Sequence, residues 1–126
     1  MNTVQMKVPM IDGKVIAEQL RIMGVKPALA GYGYLKEALS KCYADASYKK
    51  DVVKRLYVEI AKQFNTTASR VERAIRHAIE VAWSLGNADL QNKVFGYTVS
   101  LNRGKPTNSE FIATMSEYLH EISDYA

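Results

Sequence analysis

Residues 56–83 constrain the fold of this chain more than any other stretch. They begin with apolar residues at the spacing of one helix face, namely Leu56, Ile60, Ala61 and Phe64. A polar break follows at Asn65, and asparagine tolerates the left-handed backbone conformation of a tight turn better than most residues do. A second and longer helical pattern then runs to Trp83. The stretch therefore predicts two helices joined by a short polar turn.

Two starting points are open for the second of these helices. Thr66 or Thr67 can cap it by accepting a hydrogen bond from a backbone N–H group. Ser69 and Glu72 have the S-x-x-E spacing of a capping box, which would start the helix slightly later. We expect a threonine cap and a helix that covers about 67–85.

The predicted second helix has two chemically different faces when its residues are placed at about 100° intervals. The apolar face, which must pack on the rest of the domain, carries Val71, Ala74, Ile75, Ala78, Ile79, Ala82 and Leu85. The opposite face carries Ser69, Arg70, Glu72, Arg73, Arg76, His77 and Glu80. The second face is either an ordinary solvated surface or a binding surface.

The arginines favour a binding surface for double-stranded DNA. A helix-turn-helix lays its second helix in the major groove, and the N-terminal half of that helix meets the bases. Three arginines lie in this half, and an arginine can donate two hydrogen bonds to guanine. Glu72 can accept a hydrogen bond from cytosine or orient a neighbouring arginine, which indicates sequence-specific binding. The alternative is a helical protein-interaction module whose basic face meets an acidic partner.

Charge distribution supports a polyanionic partner. The chain has 126 residues, which is long enough for one domain with a single core. Its net charge is +4. Residues 49–80 hold eight Lys or Arg and four Asp or Glu, and the rest of the chain holds nine of each. The whole excess therefore lies around the predicted motif. We expect a leader or linker over 1–11 and a helix-turn-helix DNA-binding domain over 12–126.

Signals for catalysis or metal binding are weak. His77 and Glu80 lie one helical turn apart, but the sequence has no second pair of this kind to complete a metal site. Residues 104–107 resemble the end of a phosphate-binding loop, but a proline interrupts it. No nucleophile motif is present. We therefore expect no enzyme activity, no cofactor and no metal.

The remaining sequence predicts further helices separated by turns. They cover about 12–23, 32–46 and 87–95, while 50–64 is either one helix or a turn followed by the first motif helix. A last helix follows a turn at 104–107 and directs Phe111, Ile112, Met115 and Leu119 inward.

Three further features concern a possible strand, the cysteine and the cellular location. Residues 97–101 alternate like a strand that has no evident partner. The single cysteine, Cys42, fits an apolar pattern and is expected in the core. The sequence shows neither a signal peptide nor a long apolar run. These features favour a cytoplasmic location without a membrane span.

Four segments carry a family resemblance. They are GYGYLKEAL at 31–39, TTASRVERAIRHAIEVAW at 66–83, FGYTVS at 95–100 and KPTNSEFIA at 105–113. The chain resembles, over roughly 12–122, the DNA-binding effector domain of the sporulation master response regulator of endospore-forming bacteria. The full-length proteins of that family carry an N-terminal receiver domain that these residues do not include. The resemblance thus implies an isolated effector domain, and phosphorylation control would lie outside it.

The resemblance implies an all-α domain of about six helices that both activates and represses transcription. It implies binding to short promoter boxes with a TGTCGAA-like core, often by self-association of copies on adjacent boxes. The helix from Ser69 to Trp83 would supply the base contacts. The family's base-contacting positions match Arg70, Glu72, Arg73, Arg76 and His77.

Two other regions gain an implied role from the same resemblance. The segment 86–99 matches a region that touches the sigma factor of RNA polymerase, and its polar positions in the short helix are Asp89, Gln91 and Lys93. Lys105, Thr107 and Asn108 match a region near the DNA backbone. A helix N-terminus at this last position would also suit a phosphate on physical grounds.

Overall fold

The structure, a computed structural model, describes residues 9–96 and 104–123. Its six α-helices are α1 (Gly13–Ile22), α2 (Ala30–Ala44), α3 (Tyr57–Gln63), α4 (Ala68–Leu85), α5 (Ala88–Phe95) and α6 (Asn108–Ser123). Short stretches of 3-10 helix (Ala46–Lys50) and π-helix (Val52–Leu56) lead into α3. The prediction of an all-α domain is confirmed. The strand-like stretch 97–101 lies outside the described residues.

Helix α2 is the central element and packs against α1, α3, α4 and α6. It approaches α4 closely at Gly31, where an added Cβ atom would overlap the carbonyl oxygen of Ala74 and lie 2.7 Å from the Cβ atom of Ala78. Glycine and alanine at this crossing allow the two backbones to come together. The apolar face of α4 is therefore covered by α2 as well as by α3.

Helix boundaries follow local capping chemistry. Asp12 caps α1 by accepting a hydrogen bond from the Lys14 backbone N–H group at 2.9 Å, and Gly24 ends the segment with φ of 99°. Both features agree with the predicted helix over about 12–23. Helix α2 begins at Ala30 rather than near residue 32, directly after the turn that follows Pro27. For 50–64, the structure has one continuous helical segment, which is π-helical over Val52–Leu56 and α-helical over Tyr57–Gln63.

The core is a single cluster to which most of the helices contribute. All four residues predicted to face inward from α6, Phe111, Ile112, Met115 and Leu119, are fully buried. Cys42 is buried as expected, and burial raises the pKa of its thiol to about 11, so it remains protonated near neutral pH. Trp83 and Phe95 pack edge to face, with ring centroids 5.1 Å apart. None of the helices in the described residues has the length and apolarity to cross a membrane.

Two apolar predictions are wrong. Leu85 is 68% exposed because it is the last residue of α4 and extends past the core. Phe64 is 43% exposed and contacts Tyr34 of α2 edge to face, with centroids 5.1 Å apart, at the rim of the domain. Phe64 was expected on the apolar face of the first motif helix from its spacing, but it is the C-cap residue beyond Gln63, where α3 ends.

Candidate DNA interface

The turn between α3 and α4 has the geometry that its residue types predict. Asn65 has φ of 54°, and it is the only non-glycine residue with positive φ in the described part of the chain. The Thr66 N–H group donates to the carbonyl of Ala61 at 2.8 Å and closes the turn. The Thr67 hydroxyl then accepts from the Arg70 N–H group at 3.2 Å, which makes Thr67 the N-cap of α4. The competing start at Ser69 is not used.

The solvent face of α4 is as predicted, and two cations in its N-terminal half have no ion pair with the part of the chain that the structure describes. Ser69, Arg70, Arg73, Arg76 and His77 are all exposed. Arg70 and Arg73 form no ion pair with any residue that the structure describes. Because an unpaired exposed guanidinium retains all its hydrogen-bond donors, these two arginines are free to bind an external acceptor.

Arg76 differs from the other two arginines. Its guanidinium binds the carboxylate of Glu72, one turn earlier, at 2.8 Å. Glu72 is half-buried, and its own backbone carbonyl accepts a hydrogen bond from the Asn108 side chain at 3.0 Å. Of the two roles considered for Glu72, the structure shows the contact with a neighbouring arginine, which is Arg76.

Lys105 is brought to the C-terminal half of α4. Its ammonium group binds the carboxylate of Glu80 at 2.9 Å, and this hydrogen bond and the charge of Lys105 hold the pKa of Glu80 below its usual range. Glu80 was considered with His77 as a pair of metal ligands, but it binds a lysine instead. Lys105 therefore neutralises a carboxylate at the edge of the solvent-exposed face of α4, and it is itself only half-buried.

The start of α6 carries its own cap. The Thr107 hydroxyl accepts from the Glu110 N–H group at 3.1 Å, and the Thr107 N–H group donates to the Glu110 carboxylate at 2.8 Å. This reciprocal pair is a capping box, in which the glutamate already satisfies a backbone donor and supplies the negative charge favoured at a helix N-terminus. The expectation that this end of α6 suits a phosphate therefore loses its physical support.

Asn108 connects α6 to the motif rather than presenting its amide to solvent. Its Nδ2 atom donates to the Tyr57 hydroxyl at 3.1 Å and to the backbone carbonyl of Glu72 at 3.0 Å. Tyr57 is buried, and desolvation is the main reason that its pKa is raised. Asn108 thus fixes α6 against α3 and α4, which is a positioning role.

A groove of about 340 Å³ unites these elements. Its lining is Val53, Tyr57, Glu72, Arg76, Ile79, Lys105, Pro106, Thr107, Asn108 and Ser109. The structure thus brings the predicted residues at 105–108 beside α4, although Lys105 and Glu80 are 25 positions apart in the sequence. Tyr57 and Val53 were not among the predicted site residues, because nothing local in the sequence marks them.

Helix α5 carries the three residues implied in sigma-factor binding. Two of them are exposed as predicted, and the third is buried. Asp89 and Lys93 are exposed as expected. Gln91 is only 4% exposed, and its Nε2 atom donates to the carbonyls of Met23 at 2.9 Å and Ala82 at 2.7 Å. Its placement on an exposed polar position was wrong, because these two carbonyls require a donor inside the junction of α1, α4 and α5.

The comparison with protein families decides the identity of the domain. The family described as "Sporulation initiation factor Spo0A C terminal" matches residues 16–119. The chain belongs to this family. The match runs from within α1 to within α6, so it includes the helix-turn-helix and the groove beside it. The domain is accordingly a DNA-binding regulatory domain of a sporulation response regulator.

Proposed function

We propose that this domain reads a short promoter box with a TGTCGAA-like core through α4, and that it activates some promoters and represses others. The observation that carries this proposal is the exposure of Arg70 and Arg73 in the N-terminal half of α4, where neither forms an ion pair with a described residue. This half is the part of a helix-turn-helix that meets base edges. A bidentate arginine–guanine contact contributes about 1–3 kcal/mol of discrimination.

The remaining residues of the face support specificity in different ways. Arg76 is oriented by Glu72, so it can approach DNA in a defined direction. The carboxylate of Glu72 also remains a hydrogen-bond acceptor that suits cytosine. Ser69 and His77 flank the arginines on the exposed surface. Lys105 and Thr107, at the edge of the groove, are proposed to lie near the DNA backbone, with Asn108 positioning them.

Partners other than DNA are part of the same proposal. Asp89 and Lys93, exposed on α5, are the residues proposed to contact the sigma factor of RNA polymerase. Gln91 is excluded from that surface because it is buried. Copies of the domain are proposed to associate on adjacent boxes. A regulator with these partners acts in the cytoplasm, where bacterial DNA and RNA polymerase are found.

The experiment is selection of binding sites from a random pool of duplexes, followed by titration of the best duplex and a scrambled duplex of equal length. We expect enrichment of one short box and tighter binding to it than to the scrambled duplex at the same salt concentration. Equal binding to both duplexes would contradict sequence-specific recognition. Failure to bind any duplex would favour an acidic protein partner for the basic face of α4.

A further inference from the structure

Two lysines of the 46–56 segment have no carboxylate partner among the residues that the structure describes. In the 46–56 segment, Lys49 lies 3.9 Å from Glu117, and Arg55 lies within 3.5 Å of a carboxylate oxygen of both Asp45 and Glu59. Lys50 and Lys54 are exposed and form no ion pair within the described residues. The segment thus neutralises some of its cations and leaves these two available to an external anion.

The two lysines line a groove that continues the one beside α4. This second groove, of about 430 Å³, is lined by Lys49, Lys50, Asp51, Val52, Val53, Lys54 and Ser109. Val53 and Ser109 also line the groove that contains Arg76 and Lys105. A continuous surface therefore leads from the α4 face across Val53 and Ser109 to Lys50 and Lys54. Asp51 is the one carboxylate in the lining of the second groove, against three lysines.

The position of Lys54 in the motif indicates what kind of anion would lie there. The π-helical turn Val52–Leu56 runs directly into α3, the first helix of the helix-turn-helix, so Lys54 lies at the N-terminal end of that helical segment. In helix-turn-helix proteins the first helix crosses the DNA backbone while the second occupies the groove. Lysine acts as a compact point charge with rotatable donors, which suits phosphate and carries no base preference.

We propose that Lys50 and Lys54 bind phosphates of the DNA backbone independently of the base sequence. These phosphates lie beyond the stretch of DNA whose major groove α4 occupies. This contact rests on the proposed DNA-binding function and extends its footprint to the 50–54 segment. It adds affinity without adding specificity, because phosphates are the same at every base pair.

The test is the double variant Lys50→Gln/Lys54→Gln, titrated at several salt concentrations with the selected duplex and with a scrambled one. Two phosphate contacts contribute about 1.8 to the slope of log K against log salt concentration. We expect the variant to lose about this much of the slope and to bind both duplexes more weakly by the same factor. Lys50→Arg/Lys54→Arg should restore both quantities, since it restores the charge.

The matched control is Lys14→Gln/Lys26→Gln, which removes the same charge from exposed positions on α1 and in the connection from α1 to α2. It should leave the slope within the error of the wild type. An unchanged slope for the 50/54 variant, or an equal loss in the control, would overturn the proposal. So would a loss confined to the selected duplex, because that would indicate base recognition. If the wild type itself bound no duplex, the proposed function would be contradicted. That result is distinct from failure of the Lys50 and Lys54 proposal, in which the wild type binds DNA but the variant keeps the same slope.

Discussion

Replacement of Gln91 tests whether α5 is held to the domain from inside. In Gln91→Ala, the Nε2 atom is lost, and with it the hydrogen bonds to Met23 and Ala82. Each such bond contributes about 0.5–1.5 kcal/mol net, and a buried carbonyl left without a donor costs about 1–3 kcal/mol. Ala82 is protected in part, because its carbonyl also accepts from the Gly86 N–H group at 2.7 Å. We expect a loss of about 2–3 kcal/mol in the free energy of unfolding, most of it at Met23.

Two companion variants separate the causes of this loss. Gln91→Met preserves most of the side-chain volume but has no donor, so it should retain most of the destabilisation if the hydrogen bonds dominate. Gln91→Glu introduces a carboxyl that donates one bond only when protonated. Burial among carbonyl oxygens raises its pKa above the unfolded value, so its stability relative to wild type should be best at low pH and fall as pH rises through the folded pKa.

The assay is thermal and urea unfolding followed by circular dichroism, with Asp89→Asn as the exposed control on the same helix. A loss of 2–3 kcal/mol should lower Tm by roughly 5–15 °C. The control should change the free energy of unfolding by no more than about 0.5 kcal/mol. Unchanged stability in both Gln91→Ala and Gln91→Glu would refute the reasoning, because the amide would then be solvated.

Three further results are expected. Arg70→Ala or Arg73→Ala should weaken binding to the selected duplex by about 1–3 kcal/mol and relax preference at one or two base pairs, and an equal loss on scrambled duplexes would show phosphate contact only. Asp89→Asn and Lys93→Gln should reduce activation in transcription assays with purified polymerase. Operator affinity should stay within about twofold of the wild type, or about 0.4 kcal/mol. If activation and affinity fell together, α5 would be part of the DNA interface. Gly31→Ala should lower stability by about 1–3 kcal/mol in thermal melting, because its methyl group would overlap Ala74, and a wild-type Tm would contradict the close crossing of α2 and α4.

Local chemistry in the sequence determined the helix-turn-helix and the solvent-exposed face of α4. Asn65 takes the left-handed conformation and Thr67 caps the helix, and both effects depend on atoms within a few residues. The helical period then fixed which side of α4 faces solvent, so the exposure of Arg70 and Arg73 was predictable. The same period wrongly predicted that Phe64 and Leu85 are buried. It predicts the side of the helix on which a residue lies, but not whether another helix covers that side at the helix end.

Tertiary structure alone decided the long-range partners of Gln91, Lys105 and Asn108. Gln91 donates to a carbonyl 68 positions away, Lys105 binds an acid 25 positions away, and Asn108 donates to a tyrosine 51 positions away. Nothing in the residues adjacent to these polar groups distinguishes a buried donor from an exposed one. The distinction arises when separate helices pack and enclose backbone carbonyls that must then be satisfied, and this requirement exists only in the folded domain.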